Sequence, residues 1–253
     1  MKLAGALIRL YPKSFRDRWE DELRLEAHAA GARGLPDLAA GAVSQWLHPA
    51  LWPATRPDQR YGRATASLTA VTLGTWLLAY LTGEQDKTAI PHGLDAAAYL
   101  MVFAIVLSSP WPKLTGAALT TLARRGLARL ALPLLVGAAV VVIAKTTAGP
   151  VTYPARQLLP AMWWASLLAF AVQAPRVITD VCEHAARPAG PARLRTSIDL
   201  VTAANLAIAA TILARAASSR HFLPAATAVM IAVLTIPALF TRRDLSSLRG
   251  SIR

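Results

Sequence analysis

The sequence contains little charge and almost no cysteine. Only 16% of its 253 residues are charged and 55% are hydrophobic, against roughly 25% and 45–50% in average soluble domains. The mean hydropathy is +0.40. This composition excludes a disordered chain, a collagen-like chain and an ordinary soluble enzyme domain. The single cysteine, Cys182, excludes an internal disulfide and a Cys-x-x-Cys metal knot.

The sequence is also poor in the residue types on which membrane enzymes depend. Proton transfer and metal binding need clusters of acidic residues and histidine, but the five histidines include no His-Glu-x-x-His pattern. We interpret His28 and His48 as surface or packing residues, and Cys182 with His184 as no recognised nucleophile pair. A Walker A loop and a Gly-x-Ser-x-Gly elbow are absent. The sequence therefore predicts no catalytic residue, no metal site and no cofactor, in a protein that is not an enzyme.

Six apolar runs are long enough to be considered as membrane spans. A spanning helix needs about 20 mostly apolar residues, because each residue rises ~1.5 Å through ~30 Å of hydrocarbon. None of the runs alternates apolar and polar residues, which excludes an outer-membrane barrel. The sequence therefore predicts an all-α fold, a six-helix transmembrane bundle preceded by a small cytosolic helical domain. The runs are 65–81, 94–109, 127–146, 158–174, 198–217 and 222–241, of which the second is the shortest.

Basic residues in the connecting loops predict the orientation of the bundle, because Lys and Arg are retained on the cytoplasmic side. With six spans, fifteen such residues fall on the side of the N-terminus and five on the other. We therefore expect a multi-pass protein of the inner (cytoplasmic) cell membrane with both termini in the cytosol. The net charge of +13 is spread over every inner loop. Topology and attraction to anionic lipid explain it, and we predict a bilayer partner but no nucleic acid.

Residues 1–63 carry ten basic and seven acidic residues, so we expect this segment to lie outside the membrane. It is predicted to form a cytosolic three-helix domain with a linker. A first amphipathic helix ends at Tyr11-Pro12, a second covers roughly 13–30, and a third runs from about 36 to 47. The prolines at 53 and 57 and the glycine at 62 mark the linker. Residues 64–241 then form the six-span domain, and 242–253 form a basic cytosolic tail.

Phe15, Trp19 and Leu23 form an apolar stripe on the second helix, at positions i, i+4 and i+8. In the ordinary case such a stripe packs inside its own domain. Because about 63 residues give only a marginal core, the stripe is also suited to the membrane face, to a second copy in a homo-oligomer, or to a partner. We predict these three residues as the partner-binding surface.

Asp199, Thr202 and Asn205 are the most informative polar residues within the predicted spans. They share a broad face of the fifth span, and polar groups in lipid are expensive and often functional. A packing role competes with a functional one, since Asp199 can pair with Arg195 four positions earlier and Asn205 can bond to a neighbouring helix. We keep the three residues as a candidate intramembrane polar site.

The N-terminal residues resemble a known prefix. Leu10-Tyr11-Pro12, Phe15-Arg16, Arg18-Trp19 and Glu22-Leu23 are similar to the "LYPxxFRxRYGxE" prefix of many bacterial membrane proteins, with Trp19-Glu20 where members usually have Tyr-Gly. The later segment from Asp37-Leu38 to His48-Pro49 resembles the second half of that prefix in actinobacterial members. Such prefixes precede multi-span regions and some exporter permeases, and more loosely resemble domains found beside PadR-type repressors. The resemblance implies an architecture, not a mechanism.

Three functions are compatible with these features. The first is a non-enzymatic regulator or sensor whose N-terminal domain binds a cytosolic regulator. The second is a permease or accessory subunit of an exporter that is powered by an ATPase on another chain. The third, a membrane enzyme acting on lipid or isoprenoid, is disfavoured by the scarcity of acidic residues and histidine. The first is our principal hypothesis.

Overall fold

The computed structural model describes residues 2–53, 57–85, 94–113, 115–146, 153–184, 186–219 and 222–250, and the all-α prediction is confirmed over them. Two short strands, β1 (Trp111–Pro112) and β2 (Ala186–Arg187), pair antiparallel between helices. In this described part of the chain the α-helices are α1 (Lys2–Leu10), α2 (Lys13–Ala30), α3 (Leu35–Leu47), α4 (Pro57–Gln85), α5 (Asp95–Ser108), α6 (Gly116–Thr146), α7 (Tyr153–His184), α8 (Pro191–Ser219) and α9 (Phe222–Gly250).

The first three helices form the N-terminal domain, in which α1 packs against both α2 and α3. Pro12 precedes α2, and its carbonyl accepts hydrogen bonds from the backbone N–H groups of Phe15 and Arg16. Gly31 ends α2 with φ +60°, a conformation that favours glycine. These local signals explain why the predicted bounds of the three helices agree with the observed ones to within about two residues.

Helix α4 is central among the six remaining helices. Helix α4 contacts α7, α8 and α9, while α5 packs mainly on α8 and α6 packs on α7. One buried apolar cluster includes Leu68 of α4, Ile198 of α8 and Leu245 of α9. A second cluster joins Met101 of α5 to Ile231 of α9 through α8. The core of the bundle therefore lies among α4, α5, α8 and α9, with α6 and α7 outside it.

Five of these helices, not six, are long and apolar enough to cross a membrane. They are α4, α6, α7, α8 and α9, with spans of 25 to 31 residues. The prediction of six full spans is wrong at α5, which has only 14 residues and rises ~21 Å at ~1.5 Å per residue. Helix α5 ends early because Ser109 turns to an extended conformation (ψ 133°) and the next residues enter β1. Five long apolar helices indicate an integral membrane protein of the multi-pass type.

Helix α5 nevertheless returns the chain to the end of the bundle where α4 begins. The Thr65 hydroxyl in the first part of α4 donates to the carbonyl of Ser108 at 3.5 Å. Strand β1, which follows α5, pairs with β2, which joins α7 to α8. The six apolar helices therefore alternate in direction. We call the end that carries the start of α4, the β1–β2 pair and the end of α9 the proximal end.

Two element bounds differ from the predicted domain limits. Helix α4 begins at Pro57, so Gly62 lies inside a helix instead of a linker. A Cβ atom at position 62 would lie 2.6 Å from Cβ of Cys182, so glycine allows α4 and α7 to approach closely there. Helix α9 continues to Gly250, so residues 242–250 are helical, and Asp244 and Leu245 are buried. The predicted tail is thus mostly the last turns of α9.

Candidate functional site

The N-terminal domain meets the bundle where α3 ends. His48 follows α3, and its Nδ1 lies 3.1 and 3.2 Å from the two carboxylate oxygens of Asp244 in α9. Asp244 is only 4% exposed, so its carboxylate depends on hydrogen-bond donors from the protein. An N–H at Nδ1 donates this bond from a neutral or a charged imidazole. The contact joins two residues 196 positions apart in sequence.

An aromatic ring packs on this contact, and a buried arginine holds the segment that follows His48. The rings of Phe240 and His48 meet edge-on, with centroids 4.5 Å apart. Arg63 of α4 is buried and donates from Nη1 to the carbonyl of Trp52 at 2.9 Å. Its guanidinium also lies 5.6 Å from the centroid of the Trp52 ring, within cation–π range. We define the junction as His48, Trp52, Arg63, Phe240 and Asp244.

The junction therefore attaches the N-terminal domain to two helices of the bundle. His48 reaches α9, and the segment after it is held on α4 by Arg63, which donates to the carbonyl of Pro53 at 3.1 Å as well. The indole Nε1 of Trp52 donates to the carbonyl of Gln45 in α3, at 2.5 Å. A shift of α9 relative to α4 must consequently change the position of α3 relative to the bundle.

Ion pairs and hydrogen bonds tie neighbouring helices together at the proximal end. Asp199 of α8 pairs with Arg242 of α9 at 2.5 Å. Arg195 donates to the carbonyl of Leu245 at 2.8 Å. Asp199 thus pairs across helices and not with Arg195, because the Arg195 side chain is directed to α9.

The predicted partner-binding stripe lies on α2, away from the junction. Phe15, Trp19 and Leu23 are half-buried. The Phe15 and Trp19 rings are tilted against each other with centroids 4.6 Å apart, and the Arg18 guanidinium lies 4.9 Å from the Trp19 centroid. The stripe is therefore an ordered aromatic surface that is still partly open to solvent. Its role as a partner-binding surface stays a prediction.

Tyr11 connects the stripe to the rest of the domain. Its ring stacks on Phe15 with centroids 5.4 Å apart, and its hydroxyl donates to the carbonyl of Leu38 in α3 at 3.0 Å. A Cβ atom at Gly41 would collide with that hydroxyl, so glycine makes room for it. Burial, and to a lesser degree the charge of Glu26, raise the pKa of the Tyr11 hydroxyl.

The predicted intramembrane residues do not converge on one site. The Asp199 side chain is 51% exposed in its pair with Arg242, whereas Asn205 is fully buried among helices. The Asn205 carbonyl oxygen accepts a hydrogen bond from the Thr75 hydroxyl of α4 at 3.1 Å. Among the described atoms, the Thr202 hydroxyl and the Asn205 amide nitrogen are buried without a hydrogen-bond partner. Their functional role stays a prediction, and the observed contact is a helix–helix bond.

Sequence reasoning did not single out the junction. The sequence predicts His48 as a surface or packing residue, and Asp244 falls in the predicted tail. A signal was present, since Asp244 is an isolated acidic residue next to Arg242 and Arg243. Within the described residues, no group of three or more His, Cys, Asp or Glu side chains has the arrangement needed for a metal ion.

Comparisons of the chain with protein-family models, with curated proteins and with solved structures find no match.

Proposed function

We propose that this chain is a non-enzymatic membrane regulator or sensor whose N-terminal domain binds a cytosolic partner and responds to the state of the bundle. The observation that carries this proposal is the His48–Asp244 contact, which ties the end of α3 to a buried carboxylate of α9. A ligand or bilayer change that moves α9 against α4 would alter this contact. The resemblance of residues 10–23 to a membrane-protein prefix agrees with the proposal.

The partner-binding surface in this proposal is the stripe of Phe15, Trp19 and Leu23. Large aromatic side chains are the residues that most often dominate protein interfaces. The Phe15 and Trp19 rings already contact each other, so these two side chains would lose less freedom on binding than isolated side chains. In this arrangement the proximal end faces the cytosol, as the positive-inside rule predicts.

Photo-crosslinking in intact cells tests the proposal. A photoreactive amino acid replaces Trp19 in the full chain, and a matched control replaces the exposed Arg33 in the turn after α2. We expect one adduct of discrete mass at position 19 and none at position 33, with a transcription regulator in the adduct. Equal labelling at both positions would contradict a specific surface, and an ATPase in the adduct would favour the alternative of an exporter subunit.

A second arm tests the coupling. Asp244→Asn weakens the contact with His48, so we expect the yield of the position-19 adduct to change. Arg242→Gln breaks the neighbouring exposed ion pair with Asp199, which lies outside the junction, and serves as the control. If Asp244→Asn and Arg242→Gln leave the yield equally unchanged, the N-terminal domain acts without reference to the bundle.

A further inference from the structure

The β1–β2 pair presents an exposed tryptophan among basic side chains at the proximal end. Trp111 is 65% exposed and lies directly opposite Arg187 in the antiparallel register. Residues directly opposite in an antiparallel pair project to the same face. The guanidinium of Arg193, from the first turn of α8, lies 5.6 Å from the centroid of the Trp111 ring. Lys113 follows two residues after Trp111 and is exposed.

The described aspartates Asp180 and Asp199 pair with other arginines. Asp180 pairs with Arg129 at 2.6 Å and Asp199 pairs with Arg242 at 2.5 Å. Among the side chains that the structure describes, no ion pair joins Lys113, Arg187 or Arg193 to a carboxylate. The face of the β1–β2 pair therefore carries concentrated positive charge beside an aromatic ring.

An apolar surface leads to this basic face along α5. The buried side of α5 carries Met101 and Ala104, which pack in the bundle core. The opposite side exposes Tyr99, Phe103 and Val106, at 72%, 57% and 62%. This exposed side runs toward the end of α5, from which the chain enters β1 within a few residues.

We propose that the β1–β2 pair binds the headgroup phosphate of an anionic phospholipid whose acyl chain lies on the exposed side of α5. Guanidinium groups bind phosphate oxygens in pairs of hydrogen bonds, and Trp111 has Arg187 opposite it in the register and the Arg193 guanidinium near its ring. Tryptophan prefers the level of the headgroups. Basic sites between membrane helices are known to hold anionic headgroups. The phospholipid belongs to the leaflet that surrounds the proximal end.

Native mass spectrometry of the full chain in detergent micelles tests this site, with phosphatidylglycerol and phosphatidylcholine as probes. We expect the wild-type chain to retain phosphatidylglycerol in preference to phosphatidylcholine. The double variant Arg187→Gln, Arg193→Gln should weaken phosphatidylglycerol binding by roughly 25-fold, since each basic residue near an anionic surface contributes about fivefold. The control Arg124→Gln, Arg176→Gln removes two exposed charges from the start of α6 and the end of α7. It should change binding less than about twofold.

Further arms separate the alternatives. If the two double variants lose phosphatidylglycerol binding equally, the proposed site is wrong and diffuse positive charge holds the lipid. If the wild-type chain retains both lipids equally, the proposed site is also wrong. Glycerol phosphate at millimolar concentration should not displace phosphatidylglycerol, and displacement would show that a free phosphate suffices and that the lipid is not the ligand. Arg187→Lys, Arg193→Lys keeps the charge but removes the paired guanidinium hydrogen bonds, so it should bind phosphatidylglycerol more weakly than the wild-type chain. Binding equal to that of the wild-type chain would overturn recognition through paired guanidinium hydrogen bonds.

Discussion

Among the described residues, the N-terminal domain buries Ile8, Tyr11, Leu38 and Ala42, whereas the bundle buries two apolar clusters that together join α4, α5, α8 and α9. The domain also uses a polar contact, from Tyr11 to the carbonyl of Leu38, to join its helices. A core this small is marginal by itself. We therefore expect the N-terminal domain to gain more of its stability from its contact with the bundle than the bundle gains from the domain.

The largest effect is expected where the bundle packs most closely. Gly62→Ala places a Cβ atom 2.6 Å from Cβ of Cys182, so α4 and α7 must move apart at a cost of about 2 kcal/mol. The free energy of unfolding in mixed micelles measures this loss. Gly126→Ala in α6 is the control, because nothing lies within 4 Å of the added atom. It should be neutral or stabilising by up to about 1 kcal/mol. Equal effects of the two variants would contradict close α4–α7 packing.

A smaller effect is expected from Tyr11→Phe, which should lower the stability of the N-terminal domain and leave that of the bundle unchanged. Loss of the buried hydrogen bond to Leu38 costs about 1 kcal/mol. Faster amide exchange in α1 and α3, with unchanged exchange in α4 and α8, is the expected measurement. Faster exchange throughout the chain would show that the two regions unfold as one unit.

The same hydroxyl makes the domain sensitive to alkaline pH. Since the pKa of Tyr11 is raised in the folded domain from 10.0 in its usual setting, the folded state favours the protonated hydroxyl. This contribution to stability is complete below about pH 10 and is lost as the pH rises through the folded-state pKa. Protection of α1 and α3 should therefore fall above about pH 10, and this fall should be weaker in Tyr11→Phe. If protection falls equally in the wild-type protein and in Tyr11→Phe, groups other than Tyr11 cause the fall.

The smallest effect is expected for the polar bond inside the bundle. Thr75→Val removes the donor to Asn205 and should cost about 0.6 kcal/mol, the average for such bonds between membrane helices. Thr211→Val is the matched control, because the Thr211 hydroxyl donates only within its own helix, to the carbonyl of Ala207. A loss well above 1 kcal/mol for Thr75→Val, or equal losses in the two variants, would contradict the assignment of an ordinary helix–helix bond to this contact.

Local signals were sufficient to predict the N-terminal helices. Tyr11-Pro12, Gly31 and His48-Pro49 each act on the backbone within one or two residues, so the bounds of α1, α2 and α3 follow from sequence. The length of α5 could not be predicted from the sequence, because an apolar run indicates composition but does not indicate the residue at which the helix ends and β1 begins. The sequence counts 94–109 as a span, whereas the helix covers Asp95–Ser108.

Long-range partners were beyond sequence reasoning for a physical reason. Helical periodicity indicates which face of a helix is apolar, but it does not indicate which other helix meets that face. Asp199 illustrates the point, since a partner four residues away was available but Arg242, 43 positions later, provides the pair. The His48–Asp244 contact spans 196 positions and has no local signature.

Electron–electron distance measurements across the junction test the coupling of domain and bundle most directly. Spin labels at Ser44→Cys in α3 and Ser246→Cys in α9, both exposed positions, are placed in a Cys182→Ala chain in lipid nanodiscs. We expect one narrow distance distribution in this chain and in its Arg242→Gln control, and a broad distribution in Asp244→Asn. A distribution that stays equally narrow in Asp244→Asn would contradict the account, because the domain would then be held on the bundle without the His48–Asp244 contact.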